Sequence, residues 1–220
     1  MIRAAIFDVD GTLLDSMHVW DTVASDYVKA NNMLPADDLD GRIRECCLRD
    51  VALIMRDEYG MTKELEQIET EISKMVEHKY YNIVPLKPGV EALVKGLHDR
   101  GVKMCVASAS RKEHIEEALR RCGILEYFSE IFSCISVGYS KREPEIYNMA
   151  LEHLGTKPEE TIMVDDAPYV ARTAGALGIK CVGVYEETMR DHQQTLKQAA
   201  TTYIADYSEL GGFWNWLDNN

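Results

Sequence analysis

The sequence predicts an α/β fold, a doubly wound parallel sheet interrupted once by a helical insertion. Three observations carry this reading. Short apolar runs alternate with helical periodicity over most of the chain, each run is apolar almost without a break, and one stretch near the N-terminus has no such run. Strands buried on both faces of a parallel sheet read as continuous apolar runs, whereas half-exposed strands alternate. The 220 residues hold one domain with a sizeable insertion, or two small domains.

The first run, Ala4–Phe7, opens the chain. From about residue 17 to 83 the rhythm breaks, and helices are expected over 17–31, 37–57 with a break, and 62–82, punctuated by Pro35 and Gly60. In the last of these, Leu65, Ile68, Ile72, Met75 and Val76 share one face. Residues 1–16 and 84–220 are thus expected to form the core and 17–83 the insertion, with Leu14–Met17 and Val84–Pro88 as hinges. The alternation then resumes. Val90, Leu93, Val94 and Leu97 follow i, i+3, i+4, i+7 spacing behind Pro88, as do Ile115, Ala118, Leu119 and Cys122, and again Ile146, Met149, Ala150 and Leu154. Gly101, Gly123 and Gly155 follow these helices, where a left-handed cap is wanted. The remaining strands are expected at Val102–Ala107, Ile131–Ile135, Ile162–Val164 and Cys181–Val184, and Phe213–Trp216 reads as a helix packed on the sheet.

Composition narrows the function. Hydrophobic residues at 46% and charged ones at 28% exclude disorder as the main class. Acidic residues outnumber basic ones, 37 to 24, for a net charge of −13, which argues against nucleic acid or an anionic membrane as partner. No apolar run reaches the ~18 residues of a membrane span, and the first ten residues do not read as a signal peptide. The six cysteines, at 46, 47, 105, 122, 134 and 181, form no C-x-x-C pair and no Cys/His metal spacing. They read as reduced core thiols, and a cytoplasmic location is expected. The sequence carries no sign of oligomeric state, and a monomer is expected.

Open α/β sheets bind ligands beyond the carboxyl ends of their strands. Asp8-Val9-Asp10-Gly11-Thr12 follows the first strand, Ser108 and Ser110 the second, Lys141 the third past a loop, and Asp165-Asp166 the fourth. Four acids, a hydroxyl and a lysine are expected at one sheet edge. Two like charges about 4 Å apart cost about 4 kcal/mol at an effective dielectric near 20, so protons or a divalent cation must offset the cluster. All-oxygen ligands favour Mg²⁺. Taken alone, Ser108 also reads as a helix N-cap, Lys141 as a surface lysine, and one of Asp165 and Asp166 as a cap for the helix at Pro168.

Phe7-Asp8-Val9-Asp10-Gly11-Thr12, then Ser108, Lys141 and Val164-Asp165-Asp166, resemble in order the four motifs of the haloacid dehalogenase superfamily. The insertion is similar to that superfamily's C1-type helical cap. The resemblance covers nearly the whole chain and implies a Rossmann-like core that acts on phosphate esters. It implies Asp8 as nucleophile and Asp10 as general acid and base. Mg²⁺ would be held by Asp8, the carbonyl of Asp10, and Asp166, with Asp165 assisting. Ser108 and Lys141 would bind the phosphoryl oxygens, joined by backbone donors at Gly11, Thr12 and Ala109. In the insertion, Arg49 resembles a substrate-facing cap residue, although a solvated face explains it too. The expected function is a Mg²⁺-dependent phosphatase of a small phosphorylated metabolite, working through an aspartyl-phosphate. A phosphomutase and a phosphoryl-switch or binding module are the rivals. The mutase branch usually carries a His where this chain has Trp20. Arg142 replaces a common Pro, and reads either as a second cation for a multiply charged substrate or as a solvated helix-start residue.

Overall fold

The structure, a computed structural model, describes residues 1–43 and 48–220. The chain divides into two units, Met1–Asp15 with Pro85–Asn220, and Ser16–Val84. In the first, the strands are β1 (Ala4–Phe7), β2 (Lys103–Ser108), β3 (Phe128–Ser133), β4 (Thr161–Asp165), β5 (Lys180–Val184) and β6 (Thr202–Ile204). They form one parallel sheet in the order β3-β2-β1-β4-β5-β6. The chain winds one way from β1 to β2 and β3, then crosses back to β4 beside β1. That reversal opens the ligand-binding crevice of such sheets at the carboxyl ends of β1 and its neighbours.

The second unit is helical among the described residues: α1 (Met17–Trp20), α2 (Val23–Ala30), α3 (Leu39–Ile43), α4 (Leu48–Asp57) and α5 (Leu65–Asn82). Ile68, Ile72, Val76 and Tyr80 form the buried stripe of α5. The expected helix over 17–31 is split at Asp21-Thr22. That over 37–57 is seen as α3 and α4, and the one over 62–82 begins at Leu65. Trp20 donates its ring N–H to the Tyr80 hydroxyl at 3.0 Å. Tyr27 and Lys63 both donate to Glu71 at 2.6 Å, tying α2 to α5.

In the first unit the helices are α6 (Val90–Asp99), α7 (Lys112–Arg121), α8 (Cys134–Val137), α9 (Pro144–Leu154), α10 (Pro168–Ala176), α11 (Gln193–Ala199) and α12 (Gly211–Asp218). Every residue of β1 and β4 is buried, which explains their unbroken apolarity. One face of the sheet, with Ile6, Ala107 and Met163, packs on Ile146, Ala150 and Leu154 of α9 and Val170 and Ala174 of α10. Phe213 and Leu217 seat α12, and the Trp214 ring lies where a side chain on Gly96 of α6 would stand, 2.7 Å from a Cβ there.

Two expectations are corrected. The third strand is not Ile131–Ile135: it runs Phe128–Ser133, anchored by Phe128 edge-on to Phe7 at 5.7 Å, and Cys134–Val137 turns into α8. Ile135, 59% exposed, has no sheet face to cover it. The edge strand β6 was not expected, because Thr-Tyr-Ile is too short to form a run. Cys105, Cys122, Cys134 and Cys181 are free thiols, and burial pushes those of Cys105 and Cys181 far up. Cys46 and Cys47 lie outside the described residues. No helix among the described residues is long and apolar enough to cross a membrane.

Candidate active site

The sheet register places the acids. Phe7 of β1 pairs with Val164 of β4 and with Val106 of β2, so Asp8 leaves the sheet level with Asp165 and Ala107. The Asp8 N–H still donates to the Val164 carbonyl at 3.0 Å. Beyond it the chain folds into a tight loop. The Leu13 and Leu14 N–H groups both donate to the Val9 carbonyl, and Gly11 takes a φ of +78° that favours glycine.

Lys141 reaches into this edge from the loop before α9. Its ammonium donates to Asp8 Oδ1 at 2.6 Å and to Asp165 Oδ2 at 2.9 Å, and all three side chains are at most 6% exposed. The Tyr147 hydroxyl donates to the Lys141 carbonyl at 2.7 Å and holds its backbone. Asp165 also accepts the Ala167 N–H at 2.8 Å through Oδ1, so it serves the start of α10 and the cluster together. Asp8, Asp165 and Asp166 each offer a carboxylate oxygen within 4.8 Å of the others. The Lys141 ammonium bridges two of these buried acids, Asp8 and Asp165, with Asp166 beside them.

The electrostatics follow. Burial pushes Asp8 up from its ordinary 3.8, Lys141 pulls it back, and Asp165 and Asp10 push it up again, to about 7. Burial, then Asp165 and Asp8, hold Asp166 well above the carboxylate range. Burial works against the charge on Lys141, but Asp165 and Asp8 outweigh it and raise its pKa well above the ordinary lysine value. A compact all-oxygen donor set carrying more negative charge than its lysine offsets is what a hard divalent cation fits.

Asp10 is tied by a different strand end. Ser110 donates from its hydroxyl to Asp10 Oδ2 at 2.5 Å, and the Ser133 hydroxyl holds the Ser110 carbonyl at 2.7 Å. Ser108, wholly buried at the end of β2, accepts the Ser110 N–H at 3.1 Å. It is not the cap of α7, whose N-terminal flank is Arg111. Ala109 between the two serines is exposed.

Gly11 and Thr12 were expected to offer backbone donors, but their amides are spent inside the loop, on the carbonyls of Leu14 at 3.0 Å and Val9 at 3.3 Å. Both residues shape the loop. The Thr12 side chain is wholly buried, and its hydroxyl has no partner among the described residues. Arg49 is exposed on α4 and paired with Glu69 of α5 at 2.9 Å. Arg142 is exposed too, its guanidinium 4.2 Å from the centre of the Tyr169 ring.

Sequence reading missed three residues around the loop. Lys87 donates to the Gly11 carbonyl at 2.8 Å and to Glu186 at 2.7 Å, and the buried Tyr207 hydroxyl donates to the Thr12 carbonyl at 3.0 Å. Glu186 carried a usable signal, since it follows a buried strand as the recognised acids do.

An open parallel sheet with a buried acid–lysine cluster at the carboxyl ends of β1 and β4 defines a class of α/β protein with a polar site at its switch point. The chain belongs to the haloacid dehalogenase-like hydrolase family, which it matches over residues 2–178. It is 24% identical over 207 residues to the phosphorylated carbohydrates phosphatase of Thermotoga maritima, covering 92% of this chain and 94% of the relative. It is 28% identical over 176 residues to hexitol phosphatase B of Escherichia coli K12, covering 76% of each. The crystal structure of CbbY from Rhodobacter sphaeroides in complex with phosphate has the same fold. Its TM-score is 0.76 at 22% identity, with 96% of this chain and 97% of that one covered.

Proposed function

We propose that this hydrolase is a Mg²⁺-dependent phosphatase of small phosphorylated metabolites, with sugar and polyol phosphates the favoured class. The observation that carries the reading is the buried Asp8–Lys141–Asp165 cluster with Asp166 beside it and Asp10 held separately by Ser110. The names of the two phosphatase relatives support the substrate class.

Asp8 is the nucleophile. A carboxylate oxygen attacks phosphorus, the bond from phosphorus to the ester oxygen breaks, and Asp10 gives its proton to the departing alkoxide. Asp10 then takes a proton from water as that water attacks phosphorus and the bond from phosphorus to the Asp8 carboxylate breaks. Phosphate leaves, and both carboxyl groups return to their starting state. Lys141 and Ser108 bind phosphoryl oxygens, with the Ala109 backbone as a further donor. Asp8, the Asp10 carbonyl and Asp166 would hold Mg²⁺, and Asp165 keeps Lys141 and the start of α10 in place. When bound there, the ion would offset the excess negative charge of the cluster in a chain of net charge −13. Ser110 orients Asp10 as a separate acid, so proton transfer and nucleophilic attack fall to different carboxylates. Selection of the leaving group falls to the unit Ser16–Val84, with Arg49 as the candidate contact.

A panel of sugar, polyol and nucleotide monophosphates with Mg²⁺, read as free phosphate, tests the assignment. Turnover of sugar or polyol phosphates that is lost in Asp8→Asn and on chelation supports it. Phosphate release that survives Asp8→Asn refutes the covalent route, and isomerised sugar phosphate in place of free phosphate refutes hydrolysis.

A further inference from the structure

We propose that Lys87 is a positioning residue for the nucleophile loop, its ammonium clasping the Gly11 carbonyl to the exit of β5 so that Asp8 and Asp10 stay in reacting register. The inference rests on the phosphatase reading above. Lys87 lies beyond the last residue of the helical unit, and all its contacts below are within the sheet unit.

The ammonium has three donors, and three acceptors surround it: the Gly11 carbonyl at 2.8 Å, the Tyr185 carbonyl at 2.6 Å and Glu186 Oε2 at 2.7 Å. The Lys87 side chain is 14% exposed and that of Glu186 6%. The same residue holds the loop a second time, because the Lys87 N–H donates to the Leu13 carbonyl at 2.9 Å. From another direction the Tyr207 hydroxyl takes the Thr12 carbonyl. Three successive carbonyls of the loop, at 11, 12 and 13, are thus each fixed by a group outside it. The far end of the clasp is rigid in its own right: Glu186 Oε1 accepts the N–H and hydroxyl of Thr188, both at 3.2 Å, at the start of a 3-10 turn.

A buried ion pair is by itself weak evidence of stabilisation, since apolar residues of similar volume often replace one at no cost. Here the lysine spends two of its three donors on main-chain carbonyls of different segments, which an apolar pair cannot do. The Gly11 carbonyl lies one residue from Asp10 and three from Asp8. A displacement of about 1 Å in a reacting group can cost about a hundredfold in rate.

The test uses the whole chain with p-nitrophenyl phosphate and Mg²⁺, comparing wild type, Lys87→Met and Lys87→Arg, with amide hydrogen exchange over residues 9–14 alongside. In folded Lys87→Met, kcat falls about tenfold or more while KM stays within about twofold, exchange over 9–14 quickens about tenfold, and Lys87→Arg restores most of both. Should Lys87→Met not fold, Lys87→Gln, too short to span the three acceptors, is read in the same way. Unchanged kcat, a loss carried by KM alone, or unaltered exchange over 9–14 overturns the proposal. A wild type that releases no phosphate refutes the phosphatase reading instead, and the exchange comparison still decides whether the clasp orders the loop.

Discussion

Replacing Asp8 by Asn should stabilise the metal-free protein while abolishing its turnover. Asp8 titrates at 3.8 when the chain is unfolded and at about 7 when it is folded without a cation, burial being the main cause. Between those values the native state holds a proton that the unfolded state has released, so stability falls as pH rises from about 4 to 7. The full span corresponds to about 4 kcal/mol at about 1.4 kcal/mol per pH unit. Part of this shift belongs to the mutual repulsion of Asp8 and Asp166, not to Asp8 alone, so about half, ~2 kcal/mol, is the expected gain at pH 8. In a chain of this length that raises the melting temperature by about 4–8 °C. The assay is thermal unfolding of both proteins in chelator at pH 4.5 and at pH 8. The gap should be small at pH 4.5 and open by pH 8. Added Mg²⁺ should then raise the wild type more than Asp8→Asn, because ligand binding to the native state stabilises by mass action. An Asp8→Asn protein that melts at or below wild type at pH 8 without metal, or a gap independent of pH, would refute the electrostatic reasoning.

Other outcomes follow from single contacts. Gly89 has a φ of +88°, and a Cβ there would lie 2.6 Å from the Tyr207 backbone, so Gly89→Ala should cost about 3 kcal/mol or more, read as a drop of about 6–12 °C in melting temperature. Thr12→Val removes a buried hydroxyl that has no partner among the described residues and should raise the melting temperature by about 2–5 °C; a lower value would mean that the hydroxyl is satisfied in solution. Ser110→Ala cuts the hydroxyl bond to Asp10 and should lower kcat by about three- to tenfold with KM unchanged, whereas a change in KM alone would place Ser110 on the substrate.

Much of this architecture is written in local pattern. The strands of the sheet centre are buried on both faces, so Ala4–Phe7, Ile162–Val164 and Cys181–Val184 stand out as apolar runs, and the acids that end β1 and β4 are conspicuous because an apolar strand has no use for them. The glycines at 101, 123 and 155 mark helix ends because their φ values of +74°, +73° and +66° suit few other residues. Most of what escaped has no local signature; Glu186, which follows a buried strand, is the exception. β6 is three residues long, and α8 begins inside what reads as one apolar run. Lys87, Glu186 and Tyr207 are single residues far apart in sequence, and only the folded sheet brings them to one loop. Arg49 shows the opposite difficulty. Its sequence context suggests a ligand, but it pairs with Glu69, a neighbour that helical periodicity alone does not reveal.

Asp8 meets its ammonium partner from 133 positions further along the chain. β1 is flanked by β2 and β4, so a polypeptide ending before residue 141 leaves the first strand without β4 and its aspartates without that lysine. Such distant pairings are slow to form, because a large loop must close before any contact repays it. The Asp8–Lys141–Asp165 cluster therefore assembles only once the chain has been made through β4.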